Sequence, residues 1–149
     1  MKVTYATISV FIHETEDYNK VINGIETFFS PPILNSKKSV TTAQGHYGNK
    51  ITIIEYKFDK KGGMQLFELI LNKMDTSDLM FIFATIESHW SNGKLYLRFD
   101  KQHLIAENRL LLKEGDDVIR IVISFNTSLE NIKEEIKKIV GNRVMYSKL

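Results

Sequence analysis

Lys94-Leu-Tyr-Leu-Arg-Phe-Asp100, Arg109-Leu-Leu-Leu-Lys113 and Val118-Ile-Arg-Ile-Val-Ile-Ser-Phe125 are the three runs whose reading decides the fold. The first and the last alternate with the two-residue period of a strand. Leu95, Leu97 and Phe99 point one way, and Lys94, Tyr96, Arg98 and Asp100 the other. In the last run Ile119, Ile121, Ile123 and Phe125 share a face opposite Val118, Arg120, Val122 and Ser124. The middle run is apolar at its centre, but Arg109, Leu111 and Lys113 project together. Paired as a meander, the runs place one face in the core and gather Lys94, Arg98, Arg109, Lys113 and Arg120 around Tyr96 on the other. A polar face is ordinary for an antiparallel sheet, and Lys and Arg commonly cover it. The excess of cations over acids, with a ring among them, points to an anion-binding surface, since bases stack on such rings while cations hold phosphates.

Bulk properties narrow the setting. At 149 residues the chain is long enough for one core and short for two, so a single domain over residues 1–149 is expected. Hydrophobic residues at 43% and charged residues at 26% are the proportions of a soluble globular protein. A net charge of +2 permits nucleic-acid binding without demanding it, because clustering decides. With no cysteine there is no disulfide framework, thiolate zinc site or cysteine nucleophile. No continuous hydrophobic region with a cleavage site opens the chain. The longest apolar run, Leu79 to Ala84, is far too short to span a membrane. A cytoplasmic protein with no membrane partner is expected.

In chain order, Lys2 to Ile12 reads as a strand from its β-branched residues. Thr15 suits an N-cap, with Glu16 and Asp17 at the positive end of the helix that follows. Tyr18, Val21, Ile22, Ile25, Phe28 and Phe29 form that helix's apolar stripe, Gly24 marks close backbone packing, and Ser30-Pro31-Pro32 ends it. A polar strand over Lys37 to Gln44 turns at Gly45-His-Tyr-Gly-Asn49 into a return strand, Lys50 to Phe58. The parity change between Ile53 and Ile54 predicts a bulge. Met64, Phe67, Ile70, Leu71 and Met74 recur at helical spacing, and Thr76 or Ser77 caps a second helix reaching about Ser88. Lys101 to Asn108 is too long for a tight hairpin and has room for a helical turn. Thr127-Ser-Leu-Glu130 reads as a capping box for a last helix that Gly141 closes. The fold class is therefore α+β: a single mainly antiparallel sheet with helices packed on one face, in the order β-α-β-β-α-α-β-β-β-α.

Catalysis finds no anchor. The four histidines make no i, i+4 zinc pair, and neither an EF-hand nor a phosphate loop is present. His13 with Glu14, Glu16 and Asp17 has the chemistry to gather a divalent ion, and even a metal-dependent nuclease, but helix capping explains the acids more simply. Asp100 and His103 can pair as acid and base, yet no nucleophile is placed beside them. No catalytic residue, metal or cofactor is assigned.

His13-Glu-Thr-Glu-Asp17 after the first strand, Gly45-His-Tyr-Gly-Asn49 at a hairpin and Leu97-Arg-Phe-Asp-Lys-Gln102 late in the chain occur together. In that combination the chain resembles an archaeal RNA-binding family described as a predicted exosome subunit and as double-stranded-RNA-binding-domain-like. The resemblance implies an α+β domain similar to a ribosomal protein that binds the small ribosomal RNA of the large subunit. It implies RNA as partner, association with RNA processing or decay, and no catalysis. By motif it carries over Arg98, Lys101 and Gln102, Gly45, His46, Gly48 and Asn49, and Thr15, Glu16 and Asp17.

Residues and resemblance together lead to a non-enzymatic RNA-binding protein directed by phosphate and shape, with duplex or structured RNA as its ligand. Arg98, Lys101, Arg109, Lys113 and Arg120 are the expected phosphate contacts. Tyr96 is the stacking ring, and His46, Tyr47, Asn49 and Lys50 reach from the hairpin tip, with Gln102 added by motif. The alternative is an assembly subunit of a protein complex, or a homo-oligomer, using the same sheet face or an edge strand. Val122 and Leu111 on that face favour it.

Overall fold

β1 (Val3–His13) is the strand on which the sheet is built. In the computed structural model, which describes residues 3–45 and 47–147 (146 and 147 by backbone alone), it is flanked on both sides. β3 (Lys50–Phe58) pairs with one edge and β6 (Val118–Phe125) with the other, both antiparallel. β2 (Lys37–Gln44) lies outside β3, and β5 (Lys94–Asp100) outside β6. The two-residue β4 (Trp90–Ser91) completes the six-stranded antiparallel order β2-β3-β1-β6-β5-β4. The α+β expectation holds.

One face of this sheet is the core. Ala6, Ile8, Val10 and Ile12 of β1, Ile54, Tyr56 and Phe58 of β3, and the odd-numbered residues of β5 and β6 are buried there. α1 (Tyr18–Phe28) and α2 (Lys60–Lys73) close over it with the stripes their spacing foretold, Val21, Ile22, Ile25 and Phe28 from one, Phe67, Ile70 and Leu71 from the other, where Leu66 joins them. α3 (Thr76–Ala84), α4 (Lys101–Glu107) and α5 (Leu129–Ser147) complete the helical layer. Gly24 does mark a close approach: a Cβ there would lie 3.3 Å from Ile105 Cγ1 of α4. The opposite parity, Thr7, Ser9, Arg120, Val122, Tyr96 and Arg98, keeps contact with solvent.

Several local expectations are corrected. Arg109 to Lys113 is no strand and does not lie between β5 and β6, which pair directly, Arg98 opposite Arg120. The run instead follows α4 along the outer edge of β5, joined by the bridge Phe99↔Leu112 and the bonds Asp100 N to Leu111 O and Lys113 N to Arg98 O. Leu110 leaves that line to enter the core. The order is thus β-α-β-β-α-α-β-β-α-β-α. No bulge separates Ile53 from Ile54: the register runs unbroken on both sides, and these isoleucines simply face opposite ways. The irregularity falls at Thr4, where β1 slips against β6.

Several helix ends also differ, the start of α3 among them, where the N-cap position is Asp75 rather than Thr76 or Ser77. The capping site of α5 is Ser128 rather than Thr127: its Oγ accepts from Asn131 N at 3.4 Å, while Thr127 Oγ1 accepts from the Asn131 amide at 2.6 Å. The helix continues through Gly141 because Arg143 clasps the carbonyls of Leu71, Asn72 and Met74 at the end of α2. At α1 the cap is Asp17, accepting from Lys20 N at 3.2 Å, and not Thr15, which lies in the preceding turn. Asp17→Ala is accordingly expected to cost about 1 kcal/mol, or a fall of about 2–4 °C in melting temperature. Thr15→Ala should leave the melting curve in place, and thermal circular dichroism with the opposite ranking would return the cap to Thr15.

Candidate nucleic-acid interface

The uncovered face carries a row in which Arg98 of β5 stands directly opposite Arg120 of β6, with Ser9 of β1 next in line. Like charges facing each other across strands are destabilising. Arg120 is half relieved: its guanidinium stacks 4.9 Å from the Phe11 ring centroid and reaches Asp116 at 3.4 Å. Its Nη1 is nonetheless buried without a hydrogen-bond partner among the described residues. Arg98 is exposed, and among the described residues its side chain has no ion-pair partner. One register step away, Tyr96 lies opposite Val122, and beyond it Lys94 sits 5.7 Å over the Tyr5 ring.

At its outer edge β5 is covered in two pieces, by β4 at one end and by residues 111–113 at the other. Beside them opens a groove of about 720 Å³, lined by Tyr96, Arg98, Leu112 and Lys113 on the sheet side and by Phe81 and His89 on the α3 side. Asp78, Thr85, Ser88 and Glu114 complete the lining. The walls are anchored from beneath. Leu79, Ile82 and Ile86 are buried, Trp90 stacks on Phe125 at 5.8 Å, and Asp78 Oδ2 accepts from Leu112 N at 3.1 Å. On the groove side Phe81 stays 53% exposed, edge-on to His89 with ring centroids 6.4 Å apart.

Of the residues expected at an interface, Tyr96, Arg98, Lys113 and Arg120 are therefore brought together, with Lys113 also 3.7 Å from Asp100. Arg109 is not among them: it pairs with Asp75 at the start of α3, 3.1 Å away. Lys101 is corrected outright. Its side chain is 1% exposed, and its ammonium lies 2.8 Å from Glu16 Oε1, 2.7 Å from Asp117 Oδ1 and 2.8 Å from the Phe11 carbonyl oxygen. A lysine so enclosed by carboxylates holds the fold together and has nothing left for phosphate. Gln102 joins the same network, donating to Asp117 Oδ2 at 3.1 Å. Burial pushes the Glu16 and Asp117 carboxyls up, but their bonds to Lys101 outweigh it, and both lie below the ordinary carboxylate range.

That network also absorbs the acid cluster read as a metal candidate. Ligand atoms of His13, Glu16 and Asp117 lie within 4.8 Å of one another, while Asp17 caps its helix. The Lys101 ammonium already sits between the two carboxylates as an internal cation. His103 and Asp100 do pair, at 2.7 Å, but Asp100 is chiefly the N-cap of α4, accepting from Gln102 N and His103 N. Burial raises the Asp100 carboxyl, and the His103 bonds with nearby Lys113 more than reverse the rise.

The hairpin tip lies elsewhere. Gly45 N bonds to Asn49 O and Gly48 N to Gly45 O, closing the turn with Gly48 at φ +81°. Tyr47 and Lys50 are exposed and Asn49 half-buried there, while His46 falls outside the described residues. β3 is separated from β5 by β1 and β6, so tip and groove are on the order of 20 Å apart from strand spacing and rise alone. A single ligand must span that distance to touch both.

Of the lining, sequence reasoning placed only Tyr96, Arg98 and Lys113 at an interface and missed the rest, Phe81 and His89 foremost. The run Leu79 to Ala84 is apolar all round, and only its tertiary partners decide which side stays in water.

Comparison with known proteins gives the family. Residues 5–125 match a family described as RNA binding. An uncharacterised protein of Methanocaldococcus jannaschii is 33% identical over 146 residues, covering 93% of this chain and 96% of that one. A protein of Pyrococcus abyssi named as RNA-binding is 30% identical over 121 residues, 78% of this chain and 77% of that one. The crystal structure of a DUF54 protein from Sulfolobus solfataricus, 69% identical, superposes with a TM-score of 0.87 over 94% of this chain and 99% of that chain. Two of the three segments that carried the resemblance meet in space, Glu16 on Lys101 and Gln102, and with the family match covering residues 5–125 the chain belongs to this archaeal RNA-binding family.

Proposed function

We propose that the protein binds structured RNA without catalysing its conversion, through the uncovered sheet face, and that Arg98, Arg120, Lys113 and Lys94 hold phosphates. The observation that carries this reading is the Arg98–Arg120 pair. Two guanidinium groups opposed on a solvent-facing sheet cost stability, and an anion placed between them repays it. Tyr96 beside them supplies a stacking surface. Tyr47, Asn49 and Lys50 form a second contact at the hairpin tip, and contact with both regions suits a ligand recognised by its backbone and shape. A place in RNA processing or decay follows from the resemblance to the predicted exosome subunit.

The test is a binding titration with a structured RNA at two ionic strengths. If three to five cations meet phosphates, affinity falls about 20- to 500-fold between 50 and 200 mM salt. Affinity that ignores salt would falsify the phosphate-directed reading. The free edge of β2, exposed along its whole length, favours the second reading, assembly with another chain. Substituting Arg98 and Arg120 together by alanine separates the readings: RNA affinity falls in the first, while in the second a complex seen by light scattering survives.

A further inference from the structure

Resting on the RNA-binding reading above, we infer that the groove beside β5 receives one unpaired base of the bound RNA, stacked against Phe81, while Arg98 holds that nucleotide's phosphate.

Charge and shape argue for a base rather than a phosphate inside the groove. Its two cations, Arg98 and Lys113, are matched by two acids, Asp78 and Glu114, so the lining has no formal excess of positive charge. Phosphate belongs one step outward, where Arg98 faces Arg120 and, among the described residues, the one acid in reach of the pair is Asp116, 3.4 Å from Arg120 alone. A base is a flat, nearly neutral body with N–H donors on its edge, and the groove offers what such a body needs. Phe81 and Tyr96 are 53% and 44% exposed, an arrangement that leaves large ring surfaces in water until something covers them. Glu114 and the Ser88 and Thr85 hydroxyl oxygens are acceptors along the rim. At about 720 Å³ the space falls within the ~300–1,000 Å³ of single-ligand sites, too small to admit a duplex. Bases in a duplex already stack on their neighbours, so only a bulged, looped or single-stranded nucleotide can enter.

Arg98 lies on both surfaces at once, in the groove lining and in the arginine row of the open face. That makes it the hinge between backbone recognition and base capture. The bound strand runs over the sheet and turns one nucleotide into the groove at its edge.

Three RNAs test this by fluorescence anisotropy: a perfect blunt-ended duplex of two strands, the same duplex with one bulged nucleotide, and that bulge made abasic. The abasic bulge keeps the kink and loses only the base, so comparing the bulges separates stacking from backbone shape. Wild-type protein should prefer the complete bulge over the abasic one by about 5- to 150-fold, the range expected from one base on one aromatic ring. In Phe81→Ala the preference should shrink toward unity. Phe81→Leu, which keeps bulk without a ring, should shrink it too, so the result does not depend on one variant folding. Equal affinity of wild type for the two bulges, or an unchanged preference in both variants, overturns the groove. If wild type binds all three RNAs alike with steep salt dependence, the RNA-binding reading stands and the base pocket alone falls. If it binds none, both fall.

Discussion

Lys101→Met is expected to lower the melting temperature by about 6–12 °C at neutral pH. The side chain keeps its length, so the loss is almost purely the charge, its two hydrogen bonds and its ion pair with Asp117. Glu16 and Asp117 would then face each other across a site that no longer holds a cation. Breaking a buried ion pair from one side typically costs about 3–5 kcal/mol. The lower end applies here, because the Asp117 side chain keeps 42% of its exposure and water can partly replace the ammonium. At about 2–4 °C per kcal/mol for a domain near this size, a loss of ~3 kcal/mol gives the range above. Acid adds a second readout. Both carboxyls sit below their ordinary values in the folded state, so the unfolded chain takes up protons first as pH falls. Their stabilisation is present in full above about pH 5 and drains away below it. In Lys101→Met that portion of the slope disappears, and the two stability curves draw together toward acid. Denaturant melts from pH 7 to 3 measure this. A variant within 1 kcal/mol of wild type at pH 7, or curves that stay parallel, would show that Lys101 is not the tie described.

Arg98→Glu should act in opposite directions on stability and binding. An acid at this position faces Arg120 across the strands, turning a repulsive pair into an attractive one. Cross-strand pairs of this kind contribute about 0.2–1 kcal/mol, so the melting temperature should rise by a degree or more. RNA affinity should fall by about 30-fold or more. The change removes one charge-assisted contact of about 1.5–3 kcal/mol and sets a carboxylate against the phosphate backbone. The salt dependence should lose about one unit of slope for the missing contact. A residue kept only for the fold would show stability and binding falling together. A stabilised variant with undiminished affinity would remove Arg98 from the interface.

How much of this was legible beforehand follows from the physics of each element. β5 and β6 announce themselves because each buries one face, and a half-buried strand must alternate. The middle run, Arg109 to Lys113, has the same apolar content but a different task. Leu110 fills the core while its neighbours cover a sheet edge through one bridge, and that role has no periodicity. β4 is two residues long, below the reach of any pattern. Its signal was the turn instead: Asn92 and Gly93 both adopt positive φ, +52° and +77°, as a tight two-residue hairpin requires.

The candidate interface was half legible for the same reason. Alternation correctly set Tyr96, Arg98 and Arg120 on the solvent side. It could not say that Arg109 pairs with an acid from α3, nor that the cation at position 101 turns inward. Lysine is rarely buried, and its partner Glu16 lies 85 residues upstream, where no local pattern connects them. Phe81 was hidden by abundance: among neighbours as apolar as itself, nothing distinguishes the ring that stays in water.

The position of that inward lysine bears on lifetime more than on assembly. Its three partners come from β1, the turn after it and the residue before β6, while the lysine itself follows β5, so the tie closes only once β6 has paired with β1 and β5 with β6. A tie that needs both pairings does little to speed the steps that make them. It acts as a lock on the way out, so the rate at which the native protein opens, more than the rate at which it forms, is where its strength is spent.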